Sequence, residues 1–226
     1  MKKAVLLISL ILSTLMSGWA QTHFDSRVDI GMRGGTTFST VSFKPSITGT
    51  FGMGYTAGVS FRYSEENHFG LIAEVNLVQR GWAEKFEDLP YKYQRILNYV
   101  EVPIMSHIYF GKRGKFFINA GPEIAYYLGD KIKSNFDYRD TSGLAGFHDK
   151  NRRDEQLTME VSQKIDFGIV GGLGGEFSIN RKNSVLVEAR LYYGIGNVMP
   201  SGRQDTFSLS NQLSVAVTAG YWFRIK

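Results

Sequence analysis

Four histidines, His23, His68, His107 and His148, are the groups best suited to proton transfer near neutral pH. No pair of them has the spacing of a zinc motif, and the absence of cysteine removes thiolate ligands and disulfides. His148 precedes Asp149, with Asp154 and Glu155 shortly after, all inside the longest polar stretch of the chain. Carboxylates beside an imidazole can orient it as a general base, so these residues are the catalytic constellation the sequence offers. A solvated loop of the same composition needs no such role. No catalytic, cofactor-binding or metal-binding residue is assigned. Gly171-Gly172-Leu173-Gly174-Gly175 has the glycine density of a phosphate loop without the Lys-Ser/Thr and helix start such a loop requires.

The elements that would carry these residues are strands. Leu213, Val215, Val217, Ala219, Tyr221, Phe223 and Ile225 hold one parity, and Ser214, Ala216, Thr218, Gly220, Trp222 and Arg224 the other. A period of two puts the two sets on opposite faces of a β-strand. The pattern recurs and predicts eight strands: Val28–Thr37, Gly54–Tyr63, His68–Arg80, Leu97–Phe110, Lys115–Leu128, Gln163–Ile179, Val185–Gly196 and Gln212–Ile225. Ser64–Asn67, Lys112–Gly114 and Asn180–Ser184 are short connectors. Phe38–Met53, Gly81–Ile96, Gly129–Ser162 and Asn197–Asn211 are long and polar. Long and short connectors in alternation are the order of an antiparallel up-and-down transmembrane barrel, short turns on the periplasmic side and longer loops outside.

Turn chemistry sets the register. A Lys112-Arg113-Gly114 turn pairs Phe110 with Phe116, Ile108 with Ile118, Val102 with Ile124 and Val100 with Tyr126 on one face. Tyr109–Phe117, His107–Asn119 and Glu101–Ala125 then share the other, so His107 is expected to hydrogen-bond in the interior. The next hairpin is expected to set Glu176 beside Glu188, with Arg190 or Arg224 between them or a shared proton. Pro103 and Pro122 each remove a ladder hydrogen bond and predict a bulge or frayed pair.

The two faces differ in chemistry. Tyr55, Ala57, Val59, Phe61, Phe69, Leu71, Ala73, Val75, Leu77, Ile165, Phe167, Ile169, Leu173, Val185, Val187, Leu191 and Tyr193 read as the outward set. Arg33, Arg62, Glu74, Glu101, Glu123, Asp166, Glu176, Glu188, Arg190 and Arg224 read as the inward set. A water-soluble sandwich would bury the apolar face, but these strands exceed the usual length of about five or six residues. Aromatics also gather at their ends. Phe61, Tyr63, Phe69, Phe110, Phe116, Phe177, Tyr221 and Phe223, with Trp222 on the other parity, suit the girdle by the short turns; Tyr99, Tyr126 and Tyr193 suit the far one. An eight-stranded interior is just wide enough for side chains to fill. The inward charges are therefore expected to form an ionic network within the lumen, each needing partners to offset its burial. The glycines between Gly168 and Gly175 would leave room for the long side chains opposite.

Lys2 and Lys3, the apolar run Ala4–Met16 and the small residues around Gly18-Trp19-Ala20 form a secretory signal, residues 1–20, followed by a barrel domain over 21–226. Removal of the signal, which holds two lysines and no acids, lowers the net charge from +5 to +3. That balance gives no reason to expect a nucleic-acid partner.

Tyr99-Val100-Glu101-Val102-Pro103, Phe117-Ile118-Asn119-Ala120-Gly121-Pro122, Asp166-Phe167-Gly168 with its glycine run, and Gly220-Tyr221-Trp222-Phe223 resemble the PorT-like outer-membrane β-barrel family of Bacteroidota. The resemblance spans the mature chain and takes in both strand prolines. It implies outer-membrane residence among lipid and lipopolysaccharide, with the founding member linked to type IX protein secretion. The expected function is that of a non-enzymatic barrel, structural or part of an envelope assembly, with no cofactor. The alternatives are an enzyme with a rim site at His148 and Asp149, or a small pore. The 129–162 loop carries Phe136, Tyr138, Leu144, Phe147, Leu157 and Met159, expected as an amphipathic surface for envelope protein partners. Arg152 and Arg153 suit lipopolysaccharide phosphates. Oligomeric state is left open.

Overall fold

The computed structural model describes residues 26–226 apart from 66, 85, 87–88, 146, 148–153, 162 and 204. His23 and residues 1–20, expected to be a signal, lie outside the described residues. The strands are β1 Arg27–Lys44, β2 Gly49–Thr50, β3 Gly52–Ser64, β4 Phe69–Glu84, β5 Tyr93–Gly111, β6 Gly114–Ser134, β7 Ile165–Ser178, β8 Asn183–Asn197 and β9 Leu209–Arg224. Among the described residues one short helix, α1, covers Glu155–Thr158. Every pairing is antiparallel. Eight long strands close into a ring, β1-β3-β4-β5-β6-β7-β8-β9 and back to β1, while the two-residue β2 extends the edge of β4. Closure leaves no long edge unpaired.

The exposed and buried faces invert the arrangement of a water-soluble protein. Val59, Leu77, Ile169 and Val187 are each about 60% exposed, whereas Glu74 and Glu188 are 2% and 0% exposed. The apolar face looks outward and the charged face looks into the ring. Tyr99, assigned above to the outer girdle, points inward instead, as its shared parity with Glu101 requires, and accepts a hydrogen bond from Gln212 Nε2 at 2.8 Å.

All eight sequence-derived strands are present, and most run further toward the long-loop side. β1 continues to Lys44, opposite Leu209 of β9; β5 begins at Tyr93; β6 ends at Ser134. Parts of Phe38–Met53, Gly81–Ile96 and Gly129–Ser162 expected as loop are therefore strand. The cause is a reversal of polarity. Beyond Phe38, β1 turns Ser39, Val41 and Phe43 inward, all buried, and sets Thr40, Ser42 and Lys44 outward. The period of two continues while the apolar residues change sides, so the stretch lacks the apolar outer face that marks the lower part of the strand. At 21 residues β6 is about 70 Å long, far more than an apolar band of about 25 Å needs even when tilted. The strands therefore extend well beyond the outward apolar band.

The β5–β6 register is the expected one, from Phe110–Phe116 to Val100–Tyr126. Its ladder lapses between Pro103–Glu123 and Ser106–Ala120, where both prolines sit, and β4–β5 pairing lapses beside Pro103 between Ala73–Ile104 and Asn76–Glu101. The register shifts lie elsewhere, at Asn98/Tyr99 and at Tyr193/Asn197. The β7–β8 hairpin corrects one expectation. Glu176 pairs with Leu186, and Glu188 pairs with Gly174. Asn180 Oδ1 accepts from the amides of Lys182 and Asn183 at 2.9 Å each, tightening the turn so that the register moves by two residues and preserves the faces.

Candidate functional site

Two structures fill the ring, an ionic network at the level of the outward apolar band and an apolar cap above it. In the network, Arg33 of β1 donates to Glu74 at 2.9 Å and pairs with Glu188, while Arg190 of β8 reaches Glu74 at 2.8 Å and Glu188 at 2.9 Å. Nearer the short turns, Arg62 holds Asp29 at 2.9 Å and pairs with Glu176. Lys115 donates to Glu176 at 3.0 Å, Arg224 approaches Asp29 at 3.4 Å, and the Trp222 ring lies 4.5 Å from the Arg62 guanidinium. Toward the mouth, Arg80 pairs with both Glu101 and Glu123 and stacks 3.8 Å from the Tyr192 ring, whose hydroxyl donates to Asp166 at 2.9 Å. Glu176 and Glu188 thus belong to separate clusters.

Amides join these groups. Asn76 Nδ2 donates to Glu74 and to Glu101 at 3.0 Å each. Asn119 Nδ2 donates to Glu188 at 2.9 Å, and Asn119 Oδ1 lies 2.7 Å from His107 Nδ1. Two inward glycines of β7 make room. A Cβ at Gly172 would stand 2.3 Å from Glu188 Oε1, and one at Gly174 would stand 2.5 Å from the Phe117 ring. A cavity of about 20 Å³ among Arg33, Arg80, Glu101, Glu123, Arg190 and Tyr192 has room for roughly one water molecule. Asp29, Arg80 and Lys115 were not among the residues assigned from sequence. Each shares the inward parity of its strand, but each stands at or beside a sequence-derived strand end, where parity is hardest to use.

Above the network, Val78, Trp82, Tyr93, Leu97, Tyr99, Leu157, Met199 and Phe207 form a buried apolar cluster. The long loop folds onto it. Leu157 and Gln156 of α1 are fully buried, and Gln156 Nε2 donates to Glu84 at 2.9 Å. Tyr93 Oη donates to the Leu157 carbonyl at 2.9 Å, and Arg95 donates to the Met159 carbonyl at 2.5 Å. Phe86, Tyr91, Phe136 and Phe147 pack in tilted and edge-to-face pairs with centroids 5.2–5.7 Å apart. The apolar groups expected to form a recognition surface are packed into this cap: Phe147 and Leu157 are buried, and Phe136, Tyr138, Leu144 and Met159 are half-buried against it. Their burial removes apolar area from water, which a surface-facing arrangement would forgo.

Tyr93→Phe keeps this packing but leaves the Leu157 carbonyl without its donor. One such bond is worth about 1 kcal/mol, so limited proteolysis within 135–164 should speed up roughly fivefold. An unchanged cleavage rate would show that the cap does not depend on that bond.

The sequence-derived rim constellation is only partly described. His148, Asp149, Arg152 and Arg153 lie outside the described residues. Asp154 accepts a hydrogen bond from Thr141 Oγ1 at 3.3 Å, and Glu155 opens α1 in an exposed position. Among the described residues no group of three or more His, Asp or Glu side chains is arranged to hold a metal ion.

A closed antiparallel ring, apolar outside and charged inside, is the construction of a transmembrane β-barrel. The chain belongs to the outer membrane protein beta-barrel domain family, whose model matches residues 19–200. Its location is the outer membrane. Among solved structures it is similar to Neisserial surface protein A, at 12% identity over 86% of this chain and 96% of that one, with a TM-score of 0.46. It is also similar to OprG of Pseudomonas aeruginosa, at 10% identity over 87% and 95%, TM-score 0.45. A third is Ail, the attachment invasion locus protein of Yersinia pestis, at 12% identity over 86% and 98%, TM-score 0.40. No curated protein sequence matches this chain.

Proposed function

We propose that this protein is a non-enzymatic, closed barrel that serves the envelope as a structural component or as part of a secretion-type assembly, working through its outer surface and not through its lumen. The observation that carries the reading is the double filling of the ring. The ionic network occupies it at membrane level and the cap occupies it above. The Tyr93 and Arg95 bonds to loop carbonyls hold the cap as a fixed platform, and Asp137, Arg139 and Asp140 lie exposed on it. A preset surface loses little conformational freedom when a partner docks. The PorT-like character within the family, and with it a type IX-like context, rests on the Tyr99–Pro103, Phe117–Pro122 and Gly220–Phe223 motifs. Residues 1–20 act as a cleaved signal, and mass spectrometry of the envelope form should find Gln21 at its N-terminus.

Two measurements test the reading. Planar-bilayer recordings should show no steady conductance, and a stable channel would overturn the closed barrel. A photo-crosslinking residue in place of Arg139 should yield a discrete protein adduct in the native envelope. The same residue in place of Lys182, at a periplasmic turn, should yield none. Adducts from Lys182 alone would move the working surface to the other side of the membrane.

A further inference from the structure

The outer wall of the barrel is uneven near its periplasmic end. Across β6–β9 lies an open apolar groove of about 510 Å³, lined outward by Phe177 and Val185 and by Gly175, Val187 and Ala219, which are register partners on adjacent strands, so that the two small residues flank Val187. All five of these residues face outward. A Cβ built on Gly175 would meet nothing closer than the Lys115 carbonyl at 3.9 Å, so the space over it is open. The space left over Gly175 and Ala219 and the apolar lining suit a hydrocarbon chain.

Directly below it lie four exposed cations in two neighbouring turns, Lys112 and Arg113 between β5 and β6, and Arg181 and Lys182 between β7 and β8. The turns are tied together, since the Ser178 amide donates to the Arg113 carbonyl at 2.9 Å. Among the described residues none of the four cations forms a salt bridge. Arg113 lies 5.3 Å from the Phe177 ring, which links the cationic cluster to the groove wall. A second groove, of about 610 Å³ beside Ile30, Met32, Phe61, Ala73 and Val75, lies above the Ser64–His68 turn, with the exposed Glu65, and above the ends of β1 and β9, with Arg27 and the exposed Lys226. The first groove stands over four exposed cations, whereas the second stands over one, Lys226, with the exposed Glu65 nearby.

We propose that the β6–β9 wall binds an anionic phospholipid of the periplasmic leaflet, with one acyl chain in the groove and the headgroup phosphate among Lys112, Arg113, Arg181 and Lys182. The cations supply the preference for negative headgroups, and the small residues at Gly175 and Ala219 supply the chain-shaped space. The site is independent of whether the outer loops engage a protein partner.

The test is native mass spectrometry of the mature protein, reconstituted in vesicles of phosphatidylethanolamine and phosphatidylglycerol and released in mild detergent. Wild type should retain phosphatidylglycerol roughly tenfold above its share of the bilayer. The quadruple variant K112Q/R113Q/R181Q/K182Q should lose that preference. Gly175→Leu and Ala219→Leu should lose retention itself, while Ala73→Leu in the second groove should not. Heat-modifiable migration confirms that each variant is folded. An equal ratio of the two lipids in wild type and the quadruple variant overturns the headgroup assignment. Wild-type retention in whichever groove-filling variants fold overturns the groove.

Discussion

Glu74→Ala should lower the stability of the folded barrel by about 3–5 kcal/mol, measured by reversible denaturant unfolding in lipid vesicles. Glu74 is 2% exposed and accepts from two guanidinium groups, Arg33 at 2.9 Å and Arg190 at 2.8 Å. It also accepts from the Asn76 amide at 3.0 Å. Truncation deletes five hydrogen bonds to three groups and leaves two buried cations sharing Glu188 alone. The loss is large because of the cations left behind, not because the ion pairs are strongly favourable in themselves. Replacing the cluster as a whole therefore separates the two effects. A combined Arg33→Met, Glu74→Leu, Glu188→Gln, Arg190→Met barrel should recover much of what Glu74→Ala loses. If Glu74→Ala costs under about 1 kcal/mol, the network is solvated and the lumen is not closed at that level.

Leu191→Arg should cost about 2–4 kcal/mol in the same assay, because it puts a charge on the lipid face between the two aromatic girdles. Leu191 is 50% exposed and pairs with Gly171 on one side and Val215 on the other, all on the outward face. A matched Arg190→Leu change one residue earlier acts on the opposite face, so the two results report different physics from adjacent positions. In a water-soluble protein the same Leu191→Arg change at a half-exposed site would be close to neutral. A cost near zero would thus mean that this face does not meet hydrocarbon.

The two results together bear on the proposed function. A network whose disruption costs stability without opening a channel belongs to a barrel that acts as a fixed support. Measurable conductance in Glu74→Ala but not in wild type would instead assign the network the role of a seal.

Much of this protein was legible in the chain because strand periodicity is a local property. Parity alone placed Val59, Val75 and Val187 outside and Glu74, Glu101 and Glu188 inside, and the Lys112-Arg113-Gly114 turn carried the β5–β6 register. Three things lay beyond strand parity. The first is which charges meet: Arg33 and Glu188 are 155 residues apart, and Arg190 and Glu74 are 116 apart, so no local pattern links them. The second is the register at Asn180, where side-chain bonds to two amides moved Glu176 away from Glu188. The third is the role of the apolar residues in the long loop and in the upper strands. Alternation specifies which residues share a face but not which medium that face meets. At membrane level lipid lies outside and the apolar parity turns out; above it water lies outside, and Val41, Phe43, Trp82 and Leu157 turn inward to form a cap. The sequence carries the alternation, and only the height of each residue along the closed barrel decides the direction in which burial is favourable.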